Sequence, residues 1–230
     1  MTHPQPKPLD LPPLYPLLGS RPQAPSPIAN PVLGLAQACL EGGAKLLQFR
    51  EKPPAGDADL SRWQETAQDT ARRLARLCHQ HQALLIINDH VGWVRPCGAG
   101  GVHVGQDDLD PRHVRRMLGK GALIGYSTHD EEQFRRAQDL PIDYVALGPI
   151  FPSPTKPDAH PTVGLERLEE LAAWSRLPVV AIGGITLEQA PAVWRSGAAS
   201  VALISDITDH PHPASRVRAY LKAHERLPQT

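Results

Sequence analysis

A short apolar strand runs into a cluster of polar and cationic side chains in the stretch Leu46-Leu47-Gln48-Phe49-Arg50-Glu51-Lys52. Side chains alternate between the two faces of a strand, so Gln48, Arg50 and Lys52 are expected to share one face while the residues between them point to the other. Buried charges without partners are costly, and three long donor side chains at one strand end therefore favour an anion as their partner. The alternative is an edge strand whose charges are solvated.

Apolar runs of strand length recur along the chain and alternate with helical patterns. The eight runs are Leu14–Leu18, Leu46–Phe49, Leu84–Ile87, Val102–Val104, Leu123–Tyr126, Tyr144–Leu147, Val179–Ile182 and Val201–Ile204. The clearest helical pattern has apolar residues at three- and four-residue steps between Leu60 and His81. Between the third and fourth runs there is room only for a stunted helix around His90–Val94.

Repeated strand–helix units predict a parallel sheet with crossover helices. Eight units in a chain of 230 residues favour closure into a single (β/α)8 TIM barrel, a fold of the α/β class. A doubly wound open sheet is the alternative, although no GxGxxG motif follows the first strand to indicate dinucleotide binding. Residues 1–12 are expected to form a flexible proline-rich N-terminal arm, and residues 13–230 a single barrel domain.

The composition restricts the classes of partner. The chain has 24 Lys and Arg residues and 24 Asp and Glu residues, a formal net charge of zero. No broad basic surface for nucleic acid or an anionic membrane is expected, so any anion binding must be local. Since no signal peptide or membrane-spanning run is present, the sequence predicts a cytoplasmic protein that binds small molecules. The oligomeric state stays open, with a homo-oligomer among the options.

Seven predicted strands end in polar or glycine-rich residues, and in a barrel the active site lies at these ends. Asp89 follows the third strand, and Asp107 and Asp108 follow the fourth, so their carboxylates can approach each other across the barrel mouth. Two carboxylates suit Mg²⁺, which completes its shell with water and substrate phosphate oxygens. Asp108 is the preferred partner of Asp89, although spacing alone barely separates it from Asp107. Helix capping or a loop salt bridge is the alternative role.

Two further features favour a phosphorylated substrate. Gly183-Gly184 ends the seventh strand and Ser205 follows the eighth, where backbone N–H groups and a hydroxyl can bind phosphate. The long loop at residues 148–164 carries hydroxyl groups and Lys156 between prolines. Loops of this length in compact domains usually serve function, and we expect a lid that brings Lys156 over the substrate. A plain linker is the alternative.

Taken in chain order, these motifs resemble those of the thiamine-phosphate synthase family over residues 44–207. They read Gln48-Phe49-Arg50-Glu51-Lys52, Asn88-Asp89, His103-Val104-Gly105-Gln106-Asp107-Asp108, Ser127-Thr128-His129, Gly148-Pro149-Ile150-Phe151-Pro152-Ser153-Pro154-Thr155-Lys156, Ile182-Gly183-Gly184-Ile185 and Ile204-Ser205. The resemblance implies a transferase that joins 4-amino-2-methyl-5-hydroxymethylpyrimidine diphosphate to hydroxyethylthiazole phosphate, or to its carboxylated form, and releases pyrophosphate.

The same resemblance implies a role for each motif. The residues implied for the pyrimidine diphosphate are Gln48, Phe49, Arg50, Glu51, Lys52, Asn88, Ser127 and Lys156. Those implied for the thiazole phosphate are Ser153, Pro154, Thr155, Gly184, Ile204 and Ser205. Asp89 and Asp108 are implied as ligands of Mg²⁺, and the groups implied to assist the reaction are Arg50, Lys52, Lys156 and Ser127. The implied mechanism is dissociative: pyrophosphate leaves, and the thiazole nitrogen captures the pyrimidine-methyl cation.

Several residues depart from the pattern of the family. The first strand lacks an acidic residue near its end, Ser153 replaces a threonine, and His90 stands where arginine is frequent. Two alternatives therefore remain: a thiazole tautomerase on the same barrel, or a non-catalytic thiazole-phosphate-binding paralogue. The presence of Lys52, Thr155 and Lys156 argues against the tautomerase, and the intact carboxylates argue against the paralogue.

Overall fold

A computed structural model describes residues 9–19, 31–54, 56, 59–152 and 161–228 of the chain. Eight parallel strands form a closed barrel in which neighbours along the chain pair and the last strand pairs with the first. The strands are β1 Leu14–Leu18, β2 Leu46–Phe49, β3 Leu84–Asn88, β4 Gly101–Val104, β5 Leu123–Thr128, β6 Tyr144–Leu147, β7 Val179–Ile182 and β8 Ser200–Leu203. The prediction of a (β/α)8 barrel is confirmed, and closure rules out the open sheet.

Helices connect the consecutive strands and surround the barrel. They are α1 Pro31–Glu41, α2 Leu60–Gln80, α3 Val94–Cys97, α4 Pro111–Leu118, α5 Glu131–Ala137, α6 Gly164–Trp174, α7 Ala190–Arg195, α8 Ser205–Thr208 and α9 Pro213–Glu225. As expected, the connection after β3 holds only a 3-10 turn at Val91–Trp93 and the four-residue helix α3. None of the described helices has both the length and the apolar character that a membrane span requires.

Capping residues and apolar periodicity explain where the helices form. Asp59 begins α2 by accepting a hydrogen bond from the Arg62 N–H at 3.0 Å, and Asp130 begins α5 in the same way through the Gln133 N–H at 2.7 Å. Such caps satisfy backbone donors that the first helical turn leaves unpaired. The buried face of α2 carries residues at helical spacing, among them Ala67, which packs in the core. These local signals fix the helices against the outside of the barrel.

Alternation along the strands divides the core into two layers. Leu46 points into the barrel, where it packs in one apolar cluster with Tyr15. Leu47 and Phe49 point outwards into a larger cluster beneath the helices. Gln48 therefore faces the barrel interior, and it is only 2% exposed. The side-chain alternation predicted for β2 holds for the residues inside the strand.

Most of the predicted N-terminal arm lies outside the described residues. Residues 9–12 have no regular secondary structure, and Leu11 packs in the interior cluster of the barrel. The division of the chain into an arm at residues 1–12 and a domain at residues 13–230 stays a prediction.

Candidate active site

The carboxyl ends of the strands meet at one mouth of the barrel, and the predicted polar residues gather there. Parallel pairing aligns Gln48 of β2 with Ile86 of β3 and aligns Asn88 of β3 with His103 of β4. Asn88 and His103 are each 7% exposed, so they form the floor of the mouth. Ser127 lies near the end of β5 and is half-buried.

Two carboxylates lie together at the edge of this mouth. Asp89 directly follows β3 and has a φ of 61°, a left-handed conformation that Asp tolerates better than most residues. Asp108 lies in the loop after β4, where its Oδ2 accepts a hydrogen bond from the Gly105 N–H at 2.7 Å. Burial raises the pKa of Asp108, and the neighbouring Asp89 raises it further, against the lowering effects of the Gly105 N–H and of Lys52. The predicted approach of Asp89 and Asp108 is therefore observed.

The paired carboxylates are the groups at this mouth that could hold a divalent cation. Two neighbouring carboxylates concentrate negative charge, which a bound cation would neutralise. Within the described ranges, no group of three or more His, Cys, Asp or Glu side chains is placed to hold a metal ion. Mg²⁺ is commonly bound through one or two carboxylates, with water and substrate phosphate oxygens in its remaining positions. Asp89 and Asp108 match that requirement.

A cationic group just after the end of β2 contacts one of the carboxylates. The Lys52 ammonium forms a salt bridge with the Asp89 carboxylate, and its side chain is 51% exposed. The Arg50 N–H donates to the Leu18 carbonyl at 2.7 Å, which extends the pairing of β1 and β2 to the barrel rim. Glu51 is half-buried next to these cations. Phe49 is buried in the outer core, so the structure does not bring its side chain to the mouth.

A chain of hydrogen bonds crosses the barrel interior below the mouth. The Gln48 Nε2 donates to the Tyr15 hydroxyl at 3.0 Å, and the hydroxyls of Tyr15 and Tyr144 are 3.0 Å apart. The Tyr144 hydroxyl lies 3.1 Å from the His103 Nδ1, and the His103 Nε2 lies 2.7 Å from the Ser127 Oγ. Five strands thus contribute one polar side chain each to a continuous chain that ends at the mouth.

The ionisation states of this chain follow from its burial. Burial lowers the pKa of His103 to about 4, against a weaker opposing effect of Asp108, so the imidazole is neutral at pH 7. Burial also raises the pKa of both Tyr15 and Tyr144 above their usual range, so both phenols keep their protons. The hydrogen-bonded series of side chains from Gln48 to Ser127 therefore carries no charge at pH 7.

A cavity of about 430 Å³ opens at the ends of β7 and β8, where the sequence predicts phosphate binding. Its lining includes Pro152, Gly183, Gly184, Ile204 and Ser205. Gly184 has a φ of 67°, and a Cβ at this position would lie 2.5 Å from the carbonyl oxygen of Pro152. Glycine is thus required both by the backbone conformation and by the close approach of the loop.

An acidic side chain beside this cavity is neutralised by an arginine. The Arg216 guanidinium contacts both carboxylate oxygens of Asp206, with Nε–Oδ2 and Nη2–Oδ1 distances of 2.8 and 2.9 Å. Burial alone would raise the pKa of Asp206, but the hydrogen bonds from Arg216 and Tyr220 outweigh it and hold the pKa below its usual range. This bidentate pair fixes α8, which presents Ser205 to the cavity.

The predicted lid is anchored on both sides of its central segment. Ser153, Pro154, Thr155 and Lys156 lie outside the described residues. On one side, the Phe151 N–H donates to the Gly183 carbonyl at 3.0 Å, and on the other, the Val163 N–H donates to the Pro149 carbonyl at 2.8 Å. The loop therefore leaves and rejoins the barrel beside the cavity.

Sequence reasoning missed the part that Tyr15, Tyr144 and Gly125 play in this site. A Cβ at Gly125 would overlap the Tyr144 phenol and the His103 ring, so glycine makes room for their contact. The inward positions of Tyr15 and Tyr144 follow from strand alternation, which was a signal available in the sequence. Their meeting across the barrel depends on the closure of the sheet.

The chain is similar to known sequences over most of its length. The profile of a family described as thiamine monophosphate synthase matches residues 16–207. A thiamine-phosphate synthase of Chlorobium phaeovibrioides is 39% identical over 195 residues, which cover 85% of this chain and 90% of that protein. Another, from Synechococcus sp. strain WH7803, is 43% identical over 185 residues that cover 80% of this chain. The aligned part spans half the length of the Synechococcus protein.

A solved structure has the same architecture. The thiamine phosphate pyrophosphorylase from Pyrococcus furiosus superposes with a TM-score of 0.78 at 26% sequence identity. The superposition covers 93% of this chain and 95% of that one. The similarity thus includes the entire barrel and not only the motifs at its mouth.

Proposed function

Because the chain belongs to the thiamine monophosphate synthase family, we propose that it makes thiamine phosphate. In the proposed reaction, 4-amino-2-methyl-5-hydroxymethylpyrimidine diphosphate couples with hydroxyethylthiazole phosphate, or with its carboxylated form, and pyrophosphate leaves. Family membership also confirms the prediction of an enzyme of the transferase class. The observation that supports the proposal most is a pair of polar sites of different character at one barrel mouth: a lysine with two carboxylates on one side and a cavity with Gly184 and Ser205 on the other.

The two sites face each other because β3 and β7 are opposite strands of an eight-stranded barrel. On the β2–β4 side, Lys52, Asp89 and Asp108 combine a cation with paired carboxylates. On the β7–β8 side, the cavity offers backbone groups at Gly184 and the hydroxyl of Ser205. A coupling enzyme for two phosphorylated heterocycles needs such a pair of sites, because the reacting atoms meet between them.

We assign the β2–β4 side to the pyrimidine diphosphate. Arg50 and Lys52 would neutralise the charge that develops on the leaving pyrophosphate, and Lys156 would add to this from the lid. Bound by Asp89 and Asp108, Mg²⁺ would supply further positive charge to the diphosphate oxygens. The remaining proposed contacts of this substrate are Gln48, Phe49 (through its backbone), Glu51, Asn88 and Ser127.

We assign the β7–β8 cavity to the thiazole phosphate. Gly184, Ile204 and Ser205 border this cavity, and backbone N–H groups after β7 and β8 would bind the phosphate group. Ser153, Pro154 and Thr155 would approach from the lid, whose flanking residues are anchored beside Gly183. In the proposed binding mode, the ring nitrogen would face the opposite side of the mouth.

The proposed mechanism is dissociative and needs no general base. Departure of pyrophosphate leaves a pyrimidine-methyl cation that its amino group stabilises, and the thiazole nitrogen then donates its electron pair to the methylene carbon. Burial lowers the pKa of His103 to about 4, so its imidazole is a weak base, which agrees with a coupling step that transfers no proton. Closure of the lid would keep water away from the cation.

The proposal is tested by measuring pyrophosphate release from purified protein with Mg²⁺ and both substrates. Release should require both heterocycles, and an assay with each form of the thiazole identifies the preferred one. Asp89→Asn, Asp108→Asn and Lys156→Ala should each lower the rate by about two orders of magnitude. Asp107→Asn is the matched control and should leave the rate unchanged, because Asp107 lies outside the proposed metal site.

Other results would identify the alternatives. Isomerisation of a thiazole phosphate without pyrophosphate release would indicate a tautomerase. Binding of the thiazole phosphate without turnover of either substrate would indicate a non-catalytic paralogue.

A further inference from the structure

We propose that Tyr144 is a positioning residue, which holds His103 in the tautomer with its proton on Nε2 and thereby makes the Ser127 hydroxyl a hydrogen-bond donor towards the mouth. The significance of that donor for the diphosphate substrate rests on the proposed function. The tautomer itself does not, because it is a property of the protein without ligand.

Gln48, at one end of the series, determines which group donates in each hydrogen bond. Its Nε2 has only protons to offer, so the Tyr15 oxygen accepts at 3.0 Å. Within the described part of the chain, the one other partner of the Tyr15 hydroxyl is the Tyr144 hydroxyl at 3.0 Å. Tyr15 is 1% exposed, and a buried hydroxyl proton without an acceptor is costly. Tyr15 therefore donates to Tyr144.

The same reasoning gives the direction of the hydrogen bond between Tyr144 and His103. Tyr144 is fully buried, and its oxygen already accepts from Tyr15. Its own proton has one acceptor among the described residues, the His103 Nδ1 at 3.1 Å. A neutral imidazole has one protonated nitrogen and one acceptor nitrogen. With Nδ1 as acceptor, the proton must lie on Nε2.

Ser127 accepts a hydrogen bond from His103 and can donate its own hydroxyl proton to a ligand. The His103 Nε2 donates to the Ser127 Oγ at 2.7 Å. No acceptor for the Ser127 hydroxyl proton occurs among the described residues, and the side chain is half-buried at the mouth. That proton is therefore available to a ligand. With the opposite tautomer of His103, Nε2 would be an acceptor and the Ser127 hydroxyl would donate to it. Ser127 could then only accept hydrogen bonds from a ligand.

Gly125 shows that the fold accommodates the Tyr144–His103 contact. It lies within β5, and a Cβ at this position would overlap both the phenol of Tyr144 and the imidazole of His103. The backbone conformation of Gly125 is not one that requires glycine, since its φ is outside the left-handed region. The absent side chain therefore serves the packing of the two rings.

The first measurement is the tautomer of His103 in protein labelled with ¹⁵N-histidine and free of ligand. Long-range ¹H–¹⁵N correlation at pH 7 should show the proton on Nε2, with the signals assigned through their loss in His103→Gln. Tyr144→Phe should move the Nδ1 resonance, whereas Tyr126→Phe, which removes a hydroxyl from the outer face of β5, should not. A proton found on Nδ1 in the unmodified protein would overturn the proposal whether or not the chain is a synthase.

The second measurement tests whether Tyr144 acts through Ser127. Tyr144→Phe should lower kcat/KM for the diphosphate substrate about tenfold, the effect of one misdirected hydrogen bond to a substrate. The KM for the thiazole phosphate should not change, because that cavity lies across the barrel. In a Ser127→Ala background, Tyr144→Phe should have no further effect. Additive effects of the two substitutions would contradict the proposal, and so would a Tyr144→Phe enzyme with unchanged kinetics.

Discussion

His103 lies inside the barrel, where its neutral form is favoured strongly enough to affect the stability of the whole chain. Burial lowers its pKa from 6.5 to about 4. Below pH 6.5 the unfolded chain binds the proton more readily than the folded protein, so stability is greatest above this pH and falls as the pH approaches 4. The shift corresponds to a loss of about 3 kcal/mol.

Urea unfolding between pH 7 and pH 4 measures this dependence. His103→Gln should have a flatter pH profile than the unmodified protein, because it removes the group whose protonation differs between the two states. His79→Gln is the control and should keep the original slope, since His79 is exposed on α2. Equal slopes for all three proteins would show that His103 is not buried in its neutral form.

The residue scale also shows what a sequence can and cannot predict. The inward position of Gln48 follows from alternation along β2, and the approach of Asp89 to Asp108 follows from their places after neighbouring strands. The partner of Gln48 could not be predicted, because its contact with Tyr15 depends on the register that places Leu17 opposite Gln48. Local patterns carry no information about such a register.

At the scale of elements, the strand positions were predicted closely, and the differences occur at strand and helix ends. β5 continues to Thr128, although its polar last residues resemble a loop in the sequence. α7 begins only at Ala190, although β7 already ends at Ile182. The Gln189 side chain explains this, because its Oε1 accepts from the Thr186 N–H at 3.0 Å and holds a turn ahead of the helix.

The turn after β7 allows a test of the thiazole phosphate cavity. Gly184→Ala would place a Cβ 2.5 Å from the Pro152 carbonyl oxygen, so we expect the KM for the thiazole phosphate to rise about tenfold or more. The KM for the diphosphate should stay near its original value.

Gly98→Ala is the matched control for this substitution. Gly98 also has a positive φ, of 72°, but a Cβ there would meet no atom within 4 Å. The control should lose about 1 kcal/mol of stability through backbone strain and keep its kinetic constants. If both variants bind the thiazole phosphate normally, the cavity is not its site.

For the whole molecule, the barrel unites groups that are distant in the chain around one mouth. The family, the fold and the pairing of Asp89 with Asp108 were predicted because each motif is local and follows a strand. The hydrogen-bonded chain through the interior was not predicted. It forms only because barrel closure brings the Tyr144 side chain of β6 to the side chains of β4 and β1. The sequence thus predicted the residues at the mouth better than the contacts in the barrel interior below it.

Magnesium should stabilise the protein as well as support its activity. A ligand that binds only the folded state raises the melting temperature with its concentration, so Mg²⁺ should raise the Tm of the unmodified protein. The Tm of Asp89→Asn should respond much less, whereas Asp107→Asn should respond like the unmodified chain. An equal response of all three proteins would place the ion elsewhere.

The most direct test of the synthase proposal is the stoichiometry of the two products. Purified protein, Mg²⁺, the pyrimidine diphosphate and the thiazole phosphate are incubated, and thiamine phosphate and pyrophosphate are quantified in the same samples over time. The proposed function predicts that both appear together in equal amounts and that neither forms when one substrate is omitted. Pyrophosphate without thiamine phosphate, or no turnover with either form of the thiazole, would contradict it.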